Sequence, residues 1–415
     1  MQSPQNGKSN THLWAGTSNL SAKDDPFPWR DFFYWFRIGF IGLVVLFLIF
    51  TWLEWRASKQ IIYLTDGSLG VIRADGTEPR PLRISGLNGS FGPPQWSPRG
   101  GRFATIVEKP SGTTLLIAKS NGQSEFQVML PPTSILPDRA WAPSGNYVAV
   151  MSSNSGDSEL HIVDIAQNRV NTISLALAIP QVIWHPKRDE VLVTERSPED
   201  IWSLQIVTPD AKIREFAPND QFTHRSEGVW SPDGQRIAYI GTSTIDDTVR
   251  VLMTANIDGS TLIKVLVTGN NFFPIWSPRG DLLLFTQVDP NTNVSTLYRV
   301  KPNGEQLQII GRGLPRDIIA TDVSHAVSWS PDRSRMFFQS FSSSTGEVAL
   351  SIANYDGSNS KVLFSDRGRY VPLTALWSPT SRGILIVDEG TMRMRWFSNE
   401  TAQKFTWGEY PSWEP

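Results

Sequence analysis

Val229-Trp230-Ser231-Pro232-Asp233-Gly234-Gln235-Arg236-Ile237-Ala238-Tyr239-Ile240 holds the pattern that decides the fold. Pro232 presets φ at the second position of a turn, and Gly234 closes the fourth, as a type I turn prefers. A short apolar run bounded by such a turn reads as a β-strand. The same Trp-x-Pro turn returns at Trp96, Trp141, Trp184, Trp276, Trp329, Trp377 and Trp413, with successive spacings of 45, 43, 46, 46, 53, 48 and 36 residues along the whole set. An internal repeat at this period takes precedence over any local reading.

Working outward from the turn, apolar runs follow nearly every copy, among them Phe103–Val107, Tyr147–Val150 and Ile384–Val387. Their continuous apolarity implies burial on both faces, as when a sheet lies between two others. Each period then carries a polar loop, a second strand, and a turn on Asp-Gly or Asn-Gly: Asp75-Gly76, Asn121-Gly122, Asp258-Gly259, Asn303-Gly304 and Asp356-Gly357. These are hairpin signals. Four antiparallel strands per period of 40–45 residues form the blade of a β-propeller. Residues 61–83 supply three strands without a preceding Trp-x-Pro strand, and the C-terminal Tyr410–Pro415 supplies that strand alone. Joined, they complete one blade and close the ring, which removes the exposed edges of an open stack. The expected fold is all-β: an eight-bladed propeller over residues 60–415, with seven blades as the alternative should the wide Trp276–Trp329 interval or the weak first blade be irregular.

The phrase at 229–240, followed by Ala255-Asn256-Ile257-Asp258-Gly259, resembles the WD40-like blade of TolB-type β-propellers. The resemblance covers residues 60–415. It implies an envelope scaffold, or the propeller of a prolyl oligopeptidase-like enzyme. Against the enzyme, no Gly-x-Ser-x-Gly nucleophile elbow is present. The motif residues build turns rather than a site, so they speak to fold more than to function.

Ahead of the repeats, Ile38–Leu53 contains no charged residue, and the apolar stretch extends back to Phe32 across Arg37 alone. As a helix, Phe32–Trp52 would be roughly 31 Å long, close to the hydrocarbon thickness of a bilayer. Trp29, Tyr34, Trp35, Trp52 and Trp55 flank it as interfacial aromatics do. A signal peptide would open on a short basic region and end at small residues. Here a polar tail precedes the segment and Trp52-Leu53-Glu54-Trp55-Arg56 follows it. Residues 32–55 are therefore expected to be an uncleaved transmembrane helix and residues 1–31 a disordered tail. Lys23, Arg30 and Arg37 on one side against Arg56 and Lys59 on the other place the N-terminus in the cytoplasm and the propeller in the periplasm or outside the cell.

The 415 residues carry a net charge of −2 and no cysteine. A balanced charge argues against a nucleic-acid partner, and the missing cysteines exclude disulfides and thiolate chemistry. The five histidines show no metal-ligand spacing. His185 stands where other repeats have Ser and reads as structural. No cofactor is expected, and no catalytic set is found. With strands a to d alternating in direction, the short a–b and c–d turns share one face, and the longer, varied b–c and d–a loops share the other. Varied loops on a rigid scaffold are where binding concentrates. His224, Arg225, Arg316, Asp317 and His325, all from d–a loops, are the candidate binding residues. The expected function is a membrane-tethered, noncatalytic scaffold for a protein partner, with a carbohydrate-binding or hydrolase/lyase-type propeller as the alternative. The tether enters at strand b of the first blade, from the repetitive-turn side.

Overall fold

A computed structural model describes residues 59–415 apart from 155–156, 176–180, 198, 200, 244–249, 267–270, 290, 292–294, 315–326, 343–346, 368–373, 389–390 and 397–401, together with Val44 and Val45. The chain divides into two compact units, Met1–Trp55 and Arg56–Pro415. Of the first, Val44 and Val45 are helical and exposed. The rest of the expected tail and transmembrane segment lies outside the described residues. Among the described residues, no helix is long and apolar enough to cross a membrane.

The second unit is eight antiparallel sheets in chain order. Blade 1 joins Gln60–Thr65, Ser68–Arg73 and Arg80–Pro81 to the C-terminal strand Glu409–Trp413, which pairs with Gln60–Thr65 through Ile61–Trp413 and Ile62–Ser412. The ring is therefore closed by its two ends, as the half-repeats require, and the blades number eight. Blades 2 to 8 take their first strands at Trp96, Trp141, Trp184, Trp230, Trp276, Trp329 and Trp377 in turn. In blade 3 that first strand shrinks to the single bridge Trp141–Val148.

The apolar core is eight clusters, and each one sits between two neighbouring blades. Ile62, Val71 and Leu69 of blade 1 meet Trp96, Phe103 and Leu116 of blade 2. At the closing joint, Ile61, Tyr63 and Ile72 meet Leu385, Met392 and Met394 of blade 8. Alternate residues of one strand serve opposite clusters: Val191 and Val193 face blade 3 whereas Leu192 faces blade 5. That is why the strands read as continuously apolar.

Five of the repeated tryptophans staple the ring. The indole N–H of Trp141 donates to the Gln95 carbonyl at 3.0 Å, that of Trp184 to Ala140 at 2.9 Å, that of Trp230 to Ile183 at 3.2 Å, and that of Trp377 to Ser328 at 3.1 Å. In every case the acceptor is the residue just before the previous blade's own tryptophan. Trp96 continues the series across the closure, donating to Ser412 at 3.0 Å. Trp329 instead turns to Tyr355 of its own blade.

The Asp-Gly and Asn-Gly turns differ from the expected two-residue form. The glycine occupies the fourth position with positive φ, as in Gly76 (83°) and Gly259 (80°), and donates to the carbonyl three residues back. The preceding Asp or Asn accepts from the amide two residues on, Asp258 from Ser260 at 2.9 Å. These are type I turns with a glycine bulge. The b–c connections also vary more than expected. In blades 1 and 2 they are tight, at Asp66-Gly67 and Pro110-Ser111.

Candidate functional site

The variable-loop end of blade 5 gathers the largest buried charge cluster on the described part of that face. The loop entering the blade brings Asp220 under the strand His224–Trp230, where its side chain is 1% exposed. Arg225 grips Asp220 with two donors, Nη2 at 2.6 Å and Nε at 3.2 Å. The Tyr239 hydroxyl donates to the second carboxylate oxygen at 2.6 Å, and the Phe222 amide to the first at 3.0 Å. Burial and the Asp220 carboxylate together push the Tyr239 phenol well above its ordinary value. Its two oxygens are taken up by these four hydrogen bonds, so the Asp220 side chain is a structural hub.

Two residues beyond Arg225, the strand bulges between Ser226 and Val229. Glu227 takes a left-handed φ of 54° there. Its carboxylate pairs with Arg250 and accepts the backbone N–H of Phe273, in the first strand of blade 6. Phe273 is itself left-handed at 53°, in a bulge between Phe272 and Ile275. The carboxylate thus satisfies an amide that the neighbouring bulge has taken out of the ladder. Burial raises the Glu227 pKa, against the pull of Arg250 and the Phe273 amide.

In blade 3, midway along the strand Asp157–Asp164, His161 is buried between its neighbours. Its Nε2 lies 2.8 Å from Ser152 Oγ, and its Nδ1 lies 2.9 Å from Thr172 Oγ1. Glu159 Oε2 stands 3.6 Å from the same Nε2. A nucleophilic triad sets serine and carboxylate on opposite ring nitrogens. Here they share one, so the imidazole cannot relay a proton between them. Desolvation lowers the His161 pKa despite the neighbouring Glu159.

Of the sequence-predicted residues, the structure brings His224 and Arg225 to this cluster. Arg225 is spent on Asp220, and His224 Nδ1 accepts the Trp202 amide at 3.2 Å, tying blade 5 to blade 4. Arg316, Asp317 and His325 lie outside the described residues. Asp220, Glu227 and Tyr239 were not singled out from the sequence. Tyr239 carries no signal apart from the apolar run that contains it, and Glu227 shows only as an acid before a glycine in a strand.

The face also exposes large apolar side chains. Met129 is 66% and Ile135 58% exposed. Ile135 is held by two backbone bonds to Met151, 2.7 and 2.9 Å, so it is displayed on ordered backbone. Ile201, in the b–c connection of blade 4, is exposed as well.

No family model matches the chain, and no curated protein matches it. Solved structures do. One described as the eukaryotic initiation factor is 11% identical, with 86% of this chain aligned to 98% of that one at a TM-score of 0.56. One of two prolyl endopeptidases is 13% identical over 77% of this chain and 50% of that one, at 0.52. TolB from Acinetobacter baumannii is 15% identical, covering 61% of this chain and 66% of that one, at 0.36. At these identities the two with TM-scores above 0.5 show likeness of fold alone. The resemblance to TolB-type blades read from the sequence stands at that level, as one of fold.

Proposed function

We propose that this propeller is a noncatalytic interaction scaffold, tethered to a membrane in the cell envelope and binding a protein partner through its variable-loop face. The observation that carries the reading is the display of Met129 and Ile135 on that face. Exposed apolar side chains on rigid backbone suit a protein interface better than a polar sugar or a charged substrate. The buried polar groups described above support the same reading, because their partners are internal: Arg225 holds Asp220, Glu227 holds Arg250 and the Phe273 amide, and His161 lies against Ser152 and Thr172. The uncharged segment at 38–53 supports the tether, and the balance of flanking charge supports an exported propeller.

The test compares the intact chain with Ile135→Asp and Met129→Asp after cross-linking in cells and extraction in mild detergent. The same partner bands should disappear in both variants while the amount of chain stays constant. Unchanged bands would remove the variable-loop face from the proposal. Cleavage or labelling of the intact membrane-bound chain predominantly at the repetitive-turn face would contradict the expected presentation of the variable loops away from the membrane.

A further inference from the structure

The outermost strand of each blade starts just after its c–d turn, at the repetitive-turn face. In four consecutive blades this rim exposes aliphatic side chains: Ile213 in blade 4, Leu262 in blade 5, Leu307 and Ile309 in blade 6, and Val362 in blade 7. They are between 37% and 57% exposed. The register places them near the turns. Ile213 opposes Val207, the last residue of its strand; Ile309 opposes Tyr298, and Val362 opposes Ser351. At about 3.3 Å per residue all five sit within about 10 Å of that face. Counted from the turn glycine (Ala211 in blade 4), these aliphatics stand two, three or five residues on, where blade 1 has Glu78, Pro79 and Pro81 and blade 2 has Ser124, Glu125 and Gln127. Aliphatics lined along exposed sheet edges associate with something unless they are covered.

The point where the chain enters the propeller says what covers them. The Lys59 carbonyl accepts the amide of Ala74, in the c–d turn of blade 1, at 2.9 Å. The chain therefore enters at the repetitive-turn face. Four residue steps separate Lys59 from Trp55, the aromatic that closes the apolar segment, and they span at most about 14 Å. With residues 32–55 in a bilayer, as the tethered reading has it, such a link would keep that face close to the lipid. Blade 1 holds the link, and blade 5 is diametrically opposite it in a ring of eight. The link fastens one side of the face, and the aliphatic rim lies on the other.

Resting on the tethered reading above, we propose that the rim of blades 4 to 7 seats on the lipid interface through Ile213, Leu262, Leu307, Ile309 and Val362. The contact is apolar insertion rather than recognition of headgroup charge. Two basic residues along the rim have acidic neighbours, Lys212 with Asp210 at 2.7 Å and Arg299 with Asp356 at 3.7 Å.

The absence of cysteine allows a direct test. Single-cysteine variants of the full chain, Leu307→Cys, Val362→Cys, Met129→Cys and Ile135→Cys, are labelled with a fluorophore. Each is then reconstituted in phosphatidylcholine vesicles containing nitroxide-bearing lipid. Lipid quenching should be several-fold stronger at 307 and 362 than at 129 and 135, and replacing part of the phosphatidylcholine by phosphatidylserine should leave it unchanged. Equal or absent quenching at the four positions overturns the proposal, as does quenching that requires phosphatidylserine. Protection of 307 and 362 from aqueous iodide without lipid quenching also overturns it, and would show a second copy covering the rim. Alkaline carbonate extraction of the same vesicles reports on the tether separately. Release of the chain defeats the tether, whereas retention with unquenched rim probes defeats the rim contact alone.

Discussion

His185 shows how far a single residue can be read. In the repeat it occupies the serine of Trp-Ser-Pro. Ser231 and Ser277 are fully buried there and accept backbone amides of their turns, Ser231 from Arg236 at 2.9 Å and Ser277 from Leu282 at 3.0 Å. The His185 ring does the same with Nδ1, accepting from Lys187 at 3.0 Å and Arg188 at 2.9 Å, and its Nε2 lies 3.1 Å from the Gly234 carbonyl of the next blade. Nδ1 accepts, so the ring is neutral and donates from Nε2. Burial lowers its pKa. A depressed histidine leaves the unfolded chain binding a proton that the folded ring refuses, once pH drops below the free value of about 6.5. Stability is therefore full above about pH 6.5 and falls below it, by at most about 1.4 kcal/mol per pH unit for each such histidine. His161 adds the same sign, and the raised Glu227 the opposite one. The difference between the intact chain and His185→Ser isolates one site. In denaturant titrations from pH 8 to pH 5, the variant should show a shallower acid loss, and parallel curves would refute the assignment. Gly234 makes a second test. At φ 76° an added Cβ would lie 2.2 Å from His185 Nε2, so Gly234→Ala should cost about 2–4 kcal/mol. Arg333 occupies the same turn position with φ 58°. There Arg333→Gly should be neutral or stabilise by up to about 1 kcal/mol.

Turns and strands were legible because their signals are local. A proline and a glycine three or four residues apart carry their own geometry, and the glycine bulge at each Asp-Gly is a small refinement of it. The bulges in the innermost strands were not legible. Glu227 and Phe273 are left-handed without being glycine, and nothing next to them in sequence demands it. What holds them is a bond between blades, the Glu227 carboxylate on the Phe273 amide, which becomes visible only once two periods lie side by side. Asp220 was hidden for the same reason, since its partners come from the strand that follows it and the strand after that. Glu227→Gly separates local strain from the interblade bond. Glycine relieves the left-handed backbone, worth about 1 kcal/mol, but it takes the carboxylate away from Arg250 and the Phe273 amide, a loss of about 3–5 kcal/mol. A net destabilisation of about 2–4 kcal/mol should appear in thermal or denaturant unfolding. A stabilised variant would mean that the bulge, and not the carboxylate, sets the joint. Glu227→Gln keeps an acceptor for the amide and should fall between the two.

For the molecule as a whole, the blade count was readable because both ends of the repeat array are incomplete in complementary ways. The functional surface was less so: three of the five residues nominated for it lie outside the described part, and Arg225 turned out to be internal cement. Closure of the ring is where the long-range argument can be put at risk. The strand Glu409–Trp413 supplies the fourth strand of blade 1, and Ser412 bonds Trp96 through both its hydroxyl, to the amide at 3.1 Å, and its carbonyl, to the indole at 3.0 Å. Glu414 Oε1 also accepts the Gly101 amide at 3.1 Å. Removing residues 409–415 would leave Gln60–Thr65 as an open edge whose Ile61 and Ile62 are otherwise fully buried, and would take away these three hydrogen bonds between blade 1 and blade 2. A closed ring shares every strain among eight joints, whereas an opened one can unravel from either end. The truncated chain should therefore unfold over a broader transition at lower denaturant and should form larger species through the free edge, as read by tryptophan fluorescence and light scattering. Supplying Glu409–Pro415 as a separate peptide should narrow the transition again, because it returns the strand without the covalent connection. A truncated chain that unfolds as sharply as the intact one, and stays the same size, would mean that the ring owes its cooperativity to the seven other joints.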